Sequence, residues 1–256
     1  MIIFASDFDG TLHFLNEKYE GYFKQEDLDA IASFQKNGNL FGLCTGRPLY
    51  GLSPDMEGAP KLDFVIASTG GVITHDLSVP YEPIEQYVIS VKDVDSVNTI
   101  AENVGILHIH ADGKVYIIGE VEGKYPDQIK LASSSELEGK SVTGISIWTP
   151  SEEEAASLIK KLYANTKGTM AFYQNGTWID VVERSVSKGN AANRVKELFH
   201  ADLVVGIGDN YNDIPMLDHV DISFTFHRSP LEVQQHASYV VESIAEAIGI
   251  LNKRES

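Results

Sequence analysis

The sequence predicts an α/β protein: a doubly wound parallel sheet interrupted by an inserted α+β domain of two βαββ units. Three observations predict it. Short apolar, β-prone runs alternate with helix-spaced segments at both ends of the chain. Each run stops at a turn containing Gly, Asp or Thr. The middle of the chain changes texture, to strand, helix, strand, strand, given twice. With 256 residues, 43% hydrophobic and 22% charged, the chain can fill two modest cores, and wholesale disorder or fibrous repeats are excluded.

Residues 1–6 form an apolar run that halts at Asp7, as a buried parallel strand feeding a loop would. Residues 25–36 carry Leu28, Ile31, Ala32 and Phe34 at helical spacing, with Gly38 as a stop. Strands are expected at 40–44, ending in Thr45-Gly46-Arg47, and at 63–67, ending in Ser68-Thr69-Gly70-Gly71. In the middle, 87–91, 92–104, 106–110 and 115–120 read as strand, helix, strand, strand, with a hairpin turn at Asp112-Gly113. Residues 142–148, 151–165, 169–174 and 177–182 repeat that order around Asn175-Gly176. A helix at 189–199, a strand at 203–207 ending in Gly208-Asp209, and strands at 222–226 and 239–241 complete the pattern. A helix starting near Ser229-Pro230 separates the last two. Pro80 and Pro83 mark one hinge and residues 183–187 the other. The expected division is a discontinuous core of 1–79 and 184–256 around an inserted domain of 80–183.

Twenty basic residues against 37 acidic ones give a net charge of −17. Such a field repels a phosphate backbone, so nucleic acid is not an expected partner, and an anionic substrate would need a local cation. The single cysteine, Cys44, excludes a disulfide framework. Asp7 and Asp9 interrupt the first apolar run before a signal core or membrane span could form, so a cytoplasmic protein without membrane attachment is expected.

In an open parallel sheet, ligands bind beyond the carboxyl ends of the strands. Asp7, Asp9, Thr45, Asp209 and Asp213 all follow such ends, and Lys188 opens the helix after the insertion. Carboxylates crowded this way repel one another unless a cation lies among them, and a small hard ion such as Mg²⁺ suits an all-oxygen set. A phosphate dianion could then approach. Asp7 could attack phosphorus while Asp9, two residues on, protonates the departing alcohol. Lys188 would neutralise the transferring group and the Thr45 hydroxyl would bind its oxygens.

These residues resemble the haloacid dehalogenase-like (HAD) phosphatases, and more narrowly the Cof-type members with a large C2-type cap. Asp7-Phe8-Asp9-Gly10-Thr11 matches the first motif, Thr45-Gly46-Arg47 the second and Ser187-Lys188-Gly189 the third. The fourth is Gly208-Asp209-Asn210-Tyr211-Asn212-Asp213. The resemblance implies a Rossmann-like core and a nucleophilic Asp7 that forms an aspartyl-phosphate. Asp9 would be general acid and then base. It implies Mg²⁺ held by the Asp7 carboxylate, the Asp9 carbonyl and Asp209, with Asp213 supporting through water. Thr45, Lys188 and Asn212 would hold the phosphoryl group, with Gly10, Thr11, Gly46 and Arg47 also at the phosphate or substrate. The insertion would be a cap over the site, the partner a small phosphorylated metabolite such as a sugar phosphate, and the protein a monomer or weak homodimer. Two places depart from the family pattern: Thr69-Gly70 stands for Asn-Gly, and Phe226-His227-Arg228-Ser229 for Gly-Asn-Ala.

Plainer readings accompany each residue. Asp7 and Asp9 alone could be a solvated turn, Lys188 a surface residue, Thr45 a helix N-cap and Arg47 a surface ion pair. Gly206-Ile207-Gly208 lacks the third glycine of a dinucleotide loop, and Ser185-Val186-Ser187-Lys188 lacks the companions of a serine acyl enzyme. Asn175-Gly176-Thr177 is a glycosylation sequon with nothing to direct secretion. His108 and His110 share a strand face and could grip a metal, but packed imidazoles are the simpler reading. Trp178 and Asp180 also share a face, and Tyr116, Tyr173 and Gln174 are further candidates to read the substrate. The helix-free face of the inserted sheet is expected over the crevice. Two other functions fit the motifs: a phosphomutase, and a non-catalytic phosphometabolite-binding protein, against which the intact Asp9 argues.

Overall fold

The structure is a computed structural model that describes residues 1–119 and 128–254. Its first sheet has eight strands, in the spatial order Tyr239–Val241, Ile222–Phe226, Leu203–Ile207, Ile2–Ser6, Leu40–Cys44, Phe64–Ala67, Val72–Thr74 and Pro83–Gln86. The first six run parallel. Val72–Thr74 pairs antiparallel with both Phe64–Ala67 and Pro83–Gln86. Every residue of Ile2–Ser6 is buried, which is why this strand reads as an unbroken apolar run rather than an alternation. Phe4 lies between Val205 and Phe41 in register. On one side of the sheet it meets the rings of Phe34, Phe41 and Phe224 at centroid distances of 5.9, 5.7 and 6.4 Å. The helices Gln25–Lys36 and Ile244–Arg254 cover that side. Ile3, Ala5, Cys44 and Ile66 point the other way, beneath the helix Lys188–Leu198.

From the central strand Ile2–Ser6 the chain builds outward in both directions, so its carboxyl end is a topological switch point and opens a crevice. Ser90, Ser151, Ser187 and Ser243 each precede a helix and accept a hydrogen bond from the amide three residues on. The cap at Ser187 fixes Lys188 as the first helical residue, under the crevice.

The second sheet has six strands, in the order Ile129–Leu131, Lys114–Ile118, Ile106–Ala111, Val142–Trp148, Trp178–Glu183 and Met170–Asn175. The helices Val91–Ala101 and Glu152–Asn165 pack on one face, over Leu107, Ile109, Ile145, Ile147, Ile179 and Val181. His108, His110, Ser146 and Asp180 alternate with these and so occupy the opposite face. That face is turned toward the strand ends of the first sheet. His110 Nδ1 lies 3.0 Å from Ser68 Oγ, and Thr69 Oγ1 donates to Asp180 at 2.8 Å.

The strand expected at 87–91 is absent. Ser90 is committed as a helix cap there, and the strand forms instead at Pro83–Gln86, on the edge of the first sheet. An edge tolerates the missing N–H of Pro83. The first repeat of the insertion therefore lacks its leading strand, and Ile129–Leu131 pairs in parallel with Lys114–Ile118. Residue 120, the expected end of that neighbouring strand, lies outside the described residues. A small hairpin, His13–Leu15 with Gly21–Phe23, and the helix Ile244–Arg254 add to the expected elements.

Phe4 is fully buried among three aromatic rings, so Phe4→Ala removes a large side chain that its neighbours cannot replace. The expected cost is about 3–5 kcal/mol, measured by urea unfolding, with secondary structure retained at low denaturant.

Candidate active site

Asp7 follows the last residue of the central strand, and its backbone N–H donates to the Ile207 carbonyl, so the sheet itself sets its position. Lys188 is fully buried and donates from Nζ to Asp7 Oδ1 and to Asp213 Oδ1, each at 2.6 Å. Burial alone would lower its pKa, but Asp213 and Asp7 outweigh that and raise it, so the ammonium stays charged. Asp213 accepts on its other oxygen from the amides of Asp209 and Asn210, at 3.0 and 3.1 Å. It ties the loop after Leu203–Ile207 to the lysine. Gly208 has no side chain because a Cβ there would overlap the Asp213 carboxyl.

Asp209 lies across from Asp7. Oxygens of Asp7, Asp209 and Asp213 fall within 4.8 Å of one another. Burial, then the Asp213 charge, push the Asp209 carboxyl up to about 6, and the same two causes raise Asp7. Carboxylates held this close with a single lysine between them are under-compensated. The donor set, all hard oxygen, fits a small divalent cation such as Mg²⁺. Gly10 adds to the fit. Its φ is +75°, and a Cβ there would sit 2.7 Å from Asp209 Oδ2, so only glycine allows the two loops to meet.

The expected site residues divide by what their side chains do. Asp7, Asp9, Thr45, Gly46, Arg47, Asp209 and Asn212 line one cavity of about 530 Å³. Thr45 is buried, and its Oγ1 accepts from the Arg47 amide within a turn, four residues ahead of the helix Leu49–Leu52, so it is not that helix's N-cap. Thr11, expected at the phosphate, is placed otherwise: it is fully buried and donates to Asp209 Oδ1 at 3.2 Å, which makes it a support for that carboxylate. Arg47, expected at the substrate, grips Asp9 with two hydrogen bonds, Nε to Oδ2 at 2.7 Å and Nη2 to Oδ1 at 2.5 Å. Its Nη1 reaches Asp55 Oδ2 at 2.5 Å and the Gly51 carbonyl at 3.0 Å, and the guanidinium lies over the Phe8 ring. The Asp9 carboxylate therefore faces Arg47 rather than the Asp7–Asp209–Asp213 cluster.

The second sheet closes the cavity with Ser146, Asn175, Trp178 and Asp180. Tyr116 is buried in the helix-side core instead, Tyr173 donates to the Val186 carbonyl and Gln174 to the Glu152 carbonyl. His108 and His110 are buried, the first with Nδ1 3.3 Å from the Ser146 carbonyl oxygen. Burial pushes the His110 imidazole down to about 3, so it is neutral. Asp55 and Ser146 stand in no motif, and Asn175 reads in the sequence only as a hairpin turn and a sequon. Both departures from the family pattern touch the site: Thr69 holds Asp180, and Arg228, stacked on Phe226, donates to the Gly10 carbonyl at 2.5 Å.

Comparison with known proteins bears on the fold and the family. A haloacid dehalogenase-like hydrolase family model matches residues 4–253. A Haemophilus influenzae protein named "Putative phosphatase" is 25% identical, over 92% of this chain and 90% of its own. Among solved structures, a haloacid dehalogenase-like hydrolase from B. subtilis superposes with a TM-score of 0.79 at 18% identity, covering 96% of each chain. A HAD subclass IIB sugar phosphatase gives 0.76 at 19% identity, covering 97% of this chain and 98% of its own. These proteins share the fold, and the family match runs almost from end to end: the chain belongs to the haloacid dehalogenase-like hydrolases.

Proposed function

We propose that the protein is a Mg²⁺-dependent phosphatase that hydrolyses a small phosphate monoester through an aspartyl-phosphate on Asp7. One observation carries the reading: a buried carboxylate, Asp7, stands at the mouth of the crevice with a fully buried, charged Lys188 on its oxygen. A structural ion pair would have no reason to sit at the switch point of the sheet beside two further carboxylates.

Asp7, Asp209 and the backbone of Asp9 would hold the metal, which when bound offsets the cluster's negative charge and stabilises charge on the phosphoryl oxygens. Asp213 supports from behind, since both of its oxygens already accept hydrogen bonds. An Asp7 oxygen forms a bond to phosphorus as the ester P–O bond breaks, and Asp9 gives its proton to the departing alcohol. Asp9 then takes a proton from water, whose oxygen displaces Asp7 and releases inorganic phosphate. Lys188 stabilises charge on the transferring group, and the Thr45 hydroxyl and Asn212 amide hold its oxygens. For Asp9 to act, one of its oxygens must leave Arg47 and take a proton from solvent, which it then gives to the alcohol; Asp55 gives the guanidinium a second anchor while it does so. The second sheet acts as the cap that keeps bulk water from the acyl phosphate. The name of the sugar phosphatase neighbour supports a phosphorylated metabolite as substrate.

Asp7→Asn removes the nucleophile without changing size. Phosphate release from p-nitrophenyl phosphate and from a panel of metabolite esters is expected to fall by about 10³-fold or more, with the far-ultraviolet circular dichroism unchanged. A variant that still releases phosphate at the parent rate overturns the assignment.

Asp209 generates a second expectation. Its folded-state pKa, about 6, exceeds the ordinary 3.8, so between these values the folded form keeps a proton that the unfolded chain has lost. This group therefore subtracts stability as pH rises through that window, and the loss persists above it. In metal-free buffer near neutral pH, Asp209→Asn should melt at a higher temperature than the parent. With millimolar Mg²⁺ added the parent's Tm should rise and the variant's should not. Thermal denaturation with and without the ion reads both.

A further inference from the structure

Asp180 differs in kind from the other carboxylates of the cavity. It comes from the second sheet, is only 6% exposed, and among the described residues has no Lys, Arg or His within ion-pair distance. Two hydroxyls hold it: Thr69 Oγ1 donates to Oδ2 at 2.8 Å and Ser146 Oγ to Oδ1 at 3.0 Å. Burial raises its pKa, and the two hydroxyls and Lys188 oppose this only in part. Two residues before it, on the same strand face, Trp178 also lines the cavity.

Its placement is tight. A Cβ on Gly46 would fall 2.5 Å from Asp180 Oδ2, so the missing side chain of Gly46 is what lets the carboxylate reach the turn that carries Thr45. Thr69, its donor, sits at φ +56°, a left-handed conformation that a β-branched residue rarely adopts. Strain of this sort persists where the surroundings enforce it, and here it delivers a hydroxyl to one carboxylate. A neutral acceptor would satisfy the same two hydroxyls. An uncompensated carboxylate beside a phosphate site instead works against the dianion, and it has acceptor positions beyond the two in use.

Resting on the phosphatase reading above, we infer that Asp180 is the residue that selects the leaving group. Its carboxylate accepts a hydrogen bond from an O–H or N–H donor on the alcohol half of the ester, with Trp178 as a flat wall beside it. A donor-bearing ester gains this bond, whereas a donor-free ester leaves the carboxylate desolvated and only partly satisfied. The shared chemistry is the donor, and it can be a hydroxyl or an ammonium group.

The test uses three esters of similar size: glucose 6-phosphate, glucosamine 6-phosphate and cyclohexylmethyl phosphate, which has no donor. For the parent, kcat/KM for the better of the two sugars should exceed that for cyclohexylmethyl phosphate by about tenfold or more, as one hydrogen bond to a charged group gives. In Asp180→Ala that ratio should fall to near one, mainly through KM of the sugar. In Asp180→Asn an amide oxygen can still accept, so a hydroxyl reader keeps part of the ratio for glucose 6-phosphate. An ammonium reader loses it for glucosamine 6-phosphate. A parent enzyme that does not discriminate, or an Asp180→Ala variant in which all three esters fall together with the ratio intact, overturns the proposal and leaves Asp180 a contact between the two sheets. Acetyl phosphate, whose leaving group has no donor, separates the two readings: failure of the parent to hydrolyse it with Mg²⁺ present would count against the phosphatase itself.

Discussion

A fully buried ammonium sits between two buried carboxylates, and the positions of almost everything at the crevice follow from it. Lys188 is held by Asp7 at the end of the central strand and by Asp213 from the loop after the strand beside it. Removing Lys188 leaves two carboxylates without their cation in a place water does not reach, which costs far more than the ion pairs contribute when intact, whereas removing one acid leaves the lysine its other partner. The triad thus ties the first strand, the loop after Leu203–Ile207 and the helix after the insertion to one point. That point is also where the sheet's topology opens a ligand crevice.

Crowded carboxylates also explain where side chains are missing. Gly10, Gly208 and Gly46 lie against Asp209, Asp213 and Asp180 respectively, and a methyl group at any of them would collide with a carboxyl oxygen or carbon. Backbone is brought up to the acids at the cost of chain flexibility. The hydroxyls of Thr11 and Thr69 are spent in a related way, each on a carboxylate distant in sequence.

Much of this was legible in the residues and some could not be. The central strand and its terminal Asp7 were readable because a parallel strand buried on both faces is continuously apolar and its end is where ligands bind. The pairing of Trp178 with Asp180, and of His108 with His110, followed from alternation. Which face carried helices depended on packing across the whole inserted sheet. Pro83–Gln86 escaped because an edge strand exposed to water needs no apolar pattern. Thr11 was placed at the phosphate because its motif is continuous, whereas its hydroxyl goes to a residue 198 positions away. Asp55 stands in no motif, and its meaning comes only from Arg47 folding back onto it.

Ser68 and Thr69 are neighbours, both left-handed, and each reaches into the second sheet, one to His110 and the other to Asp180. Two grips from adjacent residues on one stiff corner cannot be released separately by a hinge that swings the sheets apart. Parting the sheets at this corner means breaking both hydrogen bonds, the one to His110 and the one to Asp180.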